Sequence, residues 1–458
     1  MCPATLLPLL IMTVAEVVSG QDADDTAQGA TEAGTKTETV PSKAEEAESG
    51  GELDRLPEMS GRLNKKWRFE LPASAELGAG YLDGDGIIDE NGPVIVFSLA
   101  LSPTFKYRKR KAAVGLNIDF DERETIGFTL PERHIKGGPA AMLKLGSTWA
   151  LGGFGEVGAF FKPDWPDPYQ PELDASDERT GRLMPTDRYS YLHAEGHLYV
   201  ERRFKKRIRG KAYAEYYCQN NRDDPSYDQT DDPTHLVPGD RDRVRGGVSV
   251  TGHTKERLWR YVVDFRTDWT RYENTYARDA ETGLTHAAPG GERANPMQRF
   301  VQLRLRQRSS FRLVEDVLKL VFAADYTRNI DLFENYYTWN QLSGDLALQL
   351  ALIERLFFDV GYSVEYRRYT ADGYQATSNH PPLDNGDEIR TEIHHAISAR
   401  AETAVGFTEL RLFIDSRLDF ERTNFPDYEP GIFPSGSRYL IDWDYRNATV
   451  IGGIAIKF

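Results

Sequence analysis

The chain has 458 residues, 56 basic and 71 acidic side chains, and a formal net charge of −15. A pI near 5.2 argues against a basic nucleic-acid binder, and 7 Trp, 23 Tyr and 22 Phe argue against wholesale disorder. Apart from the first residues no apolar stretch approaches the about 20 residues of a membrane helix, and two cysteines, Cys2 and Cys218, exclude a multi-disulfide scaffold.

The first element is a leader. Leu6 to Val18 (LLPLLIMTVAEVV) is apolar but too short to span a bilayer, and Val18-Ser19-Gly20 follows as a small-residue cleavage pattern. Residues 1–20 are therefore expected to be an export signal, although no Lys or Arg precedes the apolar run. Gln21 to Ser60 then carries eleven Asp/Glu against Lys36, Lys43 and Arg55, with no aromatic residue. Such a segment buries too little apolar surface to offset its chain entropy. Residues 21–66 are expected to form a disordered acidic tether.

From Trp67 the periodicity becomes two. In 68–81 (RFELPASAELGAGY) Phe69, Leu71, Ala73, Ala75, Leu77, Ala79 and Tyr81 alternate with Arg68, Glu70, Ser74 and Glu76, the pattern of a strand with one apolar face. It recurs in VQLRLR (301–306), FFDVGYSVEY (357–366) and LRLFIDSRLDFE (410–421). The predicted strands are 67–81, 93–106, 112–121, 140–149, 152–162, 188–203, 207–218, 244–253, 257–272, 298–308, 313–328, 334–350, 354–369, 391–403, 406–422 and 445–458. Connections alternate: short at 107–111, 150–151, 204–206, 254–256, 309–312, 351–353 and 404–405, and mostly long and rich in Pro, Gly, Asp and Asn between them. Alternating short and long turns give a sheet two unlike ends. A soluble β-sandwich or solenoid would also show period-two strands, but the long loops are too long for compact hairpins.

These features resemble a bacterial outer-membrane β-barrel of the porin type, over roughly residues 67–458. The resemblance implies an all-β fold: a transmembrane antiparallel up-and-down β-barrel of about sixteen strands, with short periplasmic turns, longer outer loops and an apolar exterior. It implies a place in the outer membrane of a Gram-negative bacterium, in contact with outer-membrane lipid. Val450, Gly452, Ile454, Ile456 and Phe458 share one face of the last strand, similar to the terminal signal read by the outer-membrane assembly machinery. Aromatics near strand ends (Trp67, Tyr81, Trp149, Phe161, Tyr189, Trp259, Trp269, Tyr326, Tyr369, Trp443) fit interfacial girdles.

If apolar residues face lipid, their neighbours face inward, since Arg or Lys on the lipid face costs about 2–4 kcal/mol at the midplane. This assigns Arg260, Asp264, Arg266 and Asp268, then Gln302, Arg304, Arg306 and Arg308, to a channel wall. Asp359, Glu365 and Arg367 follow, then Arg400, and Arg411, Asp415, Arg417 and Asp419. The Arg304/Arg306/Arg308 row is the best selectivity candidate, with acids on neighbouring strands available to neutralise it. His193, His197 and His394 also point inward, beside Glu195 and Glu201, but no G-x-S-x-G or H-E-x-x-H accompanies them, and no enzyme activity is expected. In 83–91 (DGDGIIDEN) Asp83, Asp85 and Asp89 flank Gly86 as in a calcium loop, although a plain Asp-Gly hairpin turn explains the same residues. The expected function is a porin-like channel for passive passage of small polar or charged solutes. The alternative is an export or assembly barrel whose periplasmic partner docks on the acidic tether. Nothing in the pattern sets an oligomeric state.

Overall fold

The computed structural model describes residues 66–457, apart from connections at 86–90, 127–131, 162–175, 178–181, 184–189, 222–239, 278–294, 370–390, 406–409 and 424–444 and a few single turn positions. The expected leader, the tether up to residue 65, Tyr189, Trp443 and Phe458 lie outside the described residues.

Sixteen staves form one antiparallel sheet. They are β1 (Lys66–Glu70 continuing as Ala73–Asp85), β2 (Asn91–Leu101 continuing as Thr104–Arg108), β3 (Ala112–Ile126), β4 (Glu132–Leu145), β5 (Trp149–Phe161), β6 (Tyr191–Lys205), β7 (Ile208–Asn221) and β8 (Arg241–His253). There follow β9 (Trp259–Tyr276), β10 (Met297–Val314), β11 (Leu318–Asp331), β12 (Trp339–Ile353), β13 (Leu356–Tyr369), β14 (Thr391–Ala404), β15 (Leu410–Thr423) and β16 (Tyr445–Lys457). Each pairs with the next in sequence, and β1 pairs with β16 through Ser74↔Lys457 to Asp85↔Arg446, which closes the barrel. Closure matters because an open edge in hydrocarbon would leave a row of N–H and C=O groups unpaired. A ribbon of Ser176–Asp177 with Arg182–Leu183 lies outside the sheet.

Several predicted boundaries shift, each for a local reason. β1 and β2 are interrupted at Pro72 and Pro103, which supply no N–H to the ladder. The register runs on across the gap, and the Ser102 N–H donates to the Pro72 carbonyl (2.9 Å). The turn between β4 and β5 falls at 146–148, not 150–151, because Gly146 supplies the positive φ (92°) that the reversal needs. The turn after β10 falls at 315–317, so Ser309 to Arg312 stay in strand. The segment around Arg68 pairs with Lys106 on β2, and only the second piece of β1 meets β16. The first piece therefore projects past the level where β16 ends.

Outside, the wall is apolar. Leu77, Val263, Leu305, Leu346, Val360 and Ile414 are all exposed, each on the face away from the barrel axis. Exposed Trp149, Trp259, Trp269 and Tyr326 sit near strand ends as expected, whereas Tyr369 turns inward and is buried, its hydroxyl donating to Glu392 (3.4 Å). In a soluble protein so much exposed apolar surface would drive aggregation. In a bilayer it is the solvated face.

Candidate functional site: the inner wall

Alternation along each strand decides which side chains share the inner face. On β9 the exposed Val263, Phe265 and Trp269 point outward, so Arg260, Asp264, Arg266 and Asp268 lie on the opposite face. The same parity puts Gln302, Arg304, Arg306 and Arg308 of β10 opposite Leu305, and Asp359, Glu365 and Arg367 of β13 opposite Val360 and Tyr362. Arg400 of β14 stands opposite Ile397, and Arg411, Asp415, Arg417 and Asp419 of β15 opposite Leu412 and Ile414.

Most of these side chains join chains of ion pairs between strands. On β7 to β9, Arg243 and Arg245 reach Glu215 (2.8 and 3.2 Å), and Arg245 donates to both oxygens of Asp268 (2.9 and 3.1 Å). Glu215, Arg245 and Asp268 retain only 3%, 6% and 4% of their exposure. Removing one partner from such a chain strands a buried charge. Tyr213 donates its hydroxyl to Asp264 (3.1 Å). One strand further, Arg304 pairs with Asp325, which also accepts from Thr327 (2.9 Å). The expected arginine row is thus neutralised at Arg304, while Arg308 has no ion pair among the described residues. Arg260 is exposed at the start of its strand.

Arg367 binds Glu392 (2.9 Å) and Glu365 (3.0 Å) and donates to Gln341 (3.2 Å). Arg417 binds Asp419 on its own strand (2.6 Å), and Gln349 donates to Asp359 (2.8 Å). Arg400 gathers three acids: Glu402 (2.8 Å), Asp415 (3.2 Å) and, beyond β16, Glu76 of β1 (3.0 Å). It gets there by lying 4.5 Å above the Phe413 ring, which in turn covers the spaces left by Gly78 and Gly453. Arg411 takes the other oxygen of Glu402 (2.8 Å). This cluster ties the barrel's closing seam from inside.

A second arc of the inner face is built differently. On β3 to β6 it carries Ala113, Gly138, Ala140, Met142, Ala150, Gly152 and Gly158 under aromatic and imidazole rings. The Tyr199 ring occupies the place a Cβ at Gly152 would take, and His193 does the same at Gly158. Tyr199 packs with Ala113, Met142 and Ala150 into the one buried apolar cluster among the described residues. His197 stacks on Phe154 (5.1 Å), and His193 lies near His134 (5.3 Å).

The histidines meet acids other than those their own strand suggests. His197 faces Glu215 (3.8 Å), His193 faces Glu156 (4.0 Å) and His394 faces Asp419 (3.5 Å). His197 stands directly opposite Glu215 in the ladder of β6 with β7, whereas Glu156 and Asp419 lie one same-face step diagonal to His193 and His394. Sequence reasoning missed Glu215, Arg245, Asp325, Glu392 and Glu76. The Arg241, Arg243, Arg245 alternation in RDRVRGG was a usable signal, hidden by starting that strand at 244.

A closed antiparallel barrel with an apolar exterior and a charged interior has the architecture of a membrane-spanning β-barrel. No family model and no curated protein matches the chain. Among solved structures it is similar to the outer membrane channel DcaP of Acinetobacter baumannii, at 10% identity and a TM-score of 0.45, over 87% of this chain and 100% of that one. It is also similar to an anion-selective porin from Comamonas acidovorans (10% identity, 86% and 100% covered, TM-score 0.37). A third is OprD of Pseudomonas aeruginosa (10%, 87% and 98%, 0.37). These likenesses leave the solute to be read from the wall itself.

Proposed function

We propose that the barrel is a passive channel for small polar and charged solutes. The observation that carries this reading is the way the inner charges pair. Their partners lie along the wall, on adjacent strands or across the seam, so the charges line the opening instead of bridging it. About sixteen strands enclose more space than side chains fill. The charges are also sorted by arc. Arg241, Arg243, Arg245, Arg266, Arg304 and Arg306 outnumber Asp264 and Asp268 on β8 to β10, whereas on β11 to β15 Asp325, Asp345, Asp359, Glu365, Glu392 and Asp415 stand among Arg367, Arg400, Arg411 and Arg417. A solute bearing both signs meets a complementary surface on each side, and field rather than fit does the sorting.

Purified protein in planar bilayers should give stepwise, ohmic conductance. A correctly folded barrel that passes no current at any voltage would overturn the channel. As parts of the same proposal, the Ile454, Ile456 and Phe458 face serves recognition by the assembly machinery, and residues 21–66 serve a periplasmic partner. Calcium at Asp83, Asp85 and Asp89 is likewise carried as a proposal: Asp83 is exposed, and the side chains of Asp85 and Asp89 lie outside the described residues.

A further inference from the structure

On the outer face of β9 to β16, charge is confined to one end. The short turns mark the periplasmic rim, so the opposite ends of the strands face outward from the cell. At those ends, and nowhere lower on these eight outer faces, stand Arg271, Arg299, Arg328, Arg368, Arg422 and Arg446, all exposed. None has an ion pair among the described residues. Two acids share this level on the described outer face of β8 to β16, exposed Glu273 and half-buried Asp242, which stands opposite Arg271 on β8 and accepts from the Tyr216 hydroxyl (2.7 Å), and Asp85 has its backbone opposite Arg446.

Two further observations single out this rim. Arg271 and Arg299 stand directly opposite each other across β9 and β10. Like charges so placed destabilise a sheet unless an anion lies between them. Two residues closer to the membrane centre lie Trp269, Tyr326, Tyr366 and Phe420, beneath Arg271, Arg328, Arg368 and Arg422. Exposed aromatics mark the hydrocarbon boundary, so the guanidinium groups sit at headgroup depth. The contrast is across the barrel, where the outward Arg133 of β4 has its own partner, Glu122 of β3, at 3.0 Å.

We propose that the arginines at the outer ends of β9 to β16 bind the phosphate groups of anionic lipid in the outer leaflet. Guanidinium forks hold phosphate oxygens two at a time, and Arg271 with Arg299 forms the tightest seat. The proposal needs the barrel to span the membrane but does not need it to conduct.

The test uses full-length folded protein and bis-phosphorylated lipid A in phosphatidylcholine nanodiscs, with the same lipid stripped of phosphate as the comparison. Wild type should retain the phosphorylated lipid and not the stripped one. Each arginine removed should weaken binding roughly fivefold, about 1 kcal/mol per cation, in the pairs R271Q/R299Q, R328Q/R368Q and R422Q/R446Q. R133Q should bind as wild type. Equal retention of both lipids, loss in R133Q as large as in R271Q/R299Q, or full displacement by inorganic phosphate would each overturn it. Folding is read from the heat-dependent gel shift of the barrel. If a pair fails to fold, the comparison of the two lipids on wild type still decides.

Discussion

Two arcs of the inner wall solve one problem in different ways. From β7 to β15 the face is held by ion pairs such as Arg245–Asp268 and Arg367–Glu392. From β3 to β6 it is held mainly by rings packed over glycine, such as Tyr199 over Gly152, with Lys136–Glu156 (3.3 Å) as an ion pair among them. The first arc is rigid because each charge needs its partner. The second is rigid because a ring fills a space that no other side chain occupies. Both keep long side chains against the wall and out of the opening, so a water-filled interior does not require a uniform lining.

The largest effect should come from breaking the charged arc at its most buried point. Arg245→Ala takes from buried Asp268 its two-pronged partner, leaving Arg266 at 3.7 Å, and leaves Glu215 to Arg243. A loss of about 3–5 kcal/mol is expected, seen as a lower denaturant midpoint for barrel unfolding. Arg417→Ala, whose partner Asp419 pairs with an exposed guanidinium, should cost less than about 1 kcal/mol. Equal losses would mean that burial does not separate the two pairs.

In the ring arc, Gly152→Ala should cost about 1–3 kcal/mol by overpacking. Its Cβ forces Tyr199 off the Ala113, Met142 and Ala150 cluster. The ring then swings toward the opening, and single-channel conductance should fall with stability. Adding Tyr199→Ala should restore conductance, and a double variant as narrow as the single one would place the obstruction elsewhere.

The cationic arc should govern ion preference. Replacing Arg304, Arg306 and Arg308 with Gln should move the reversal potential in a salt gradient toward cations, changing the permeability ratio by roughly two- to threefold. Asp325 contributes, since losing Arg304 uncovers it. An unchanged reversal potential would show that ions pass along another part of the wall.

Much of this was readable from period two alone. Alternation placed every candidate from Arg260 to Asp419 on one face, because parity survives errors in strand ends. Partner identity was not readable, because it depends on register between strands far apart in sequence, such as Glu76 with Arg400. Turn positions were missed where glycine sets them, as at Gly146, and strand continuity was overestimated at Pro72 and Pro103. The outward arginines were in plain view in the sequence, yet a rule that keeps cations off the lipid face assigned them no role. It holds at midplane and relaxes at the rim.

The smallest effect belongs to the first piece of β1, near the short-turn end of the barrel. There Lys106 donates to Glu70 (2.8 Å), and Arg68 lies 2.8 Å from the other oxygen. Lys106→Ala should shift the unfolding midpoint at neutral pH by less than about 1 kcal/mol, because the pair is partly solvated and Arg68 still faces Glu70. In acid strong enough to protonate Glu70 the shift should vanish. A difference that persists in acid would assign the effect to Lys106 packing instead of its charge.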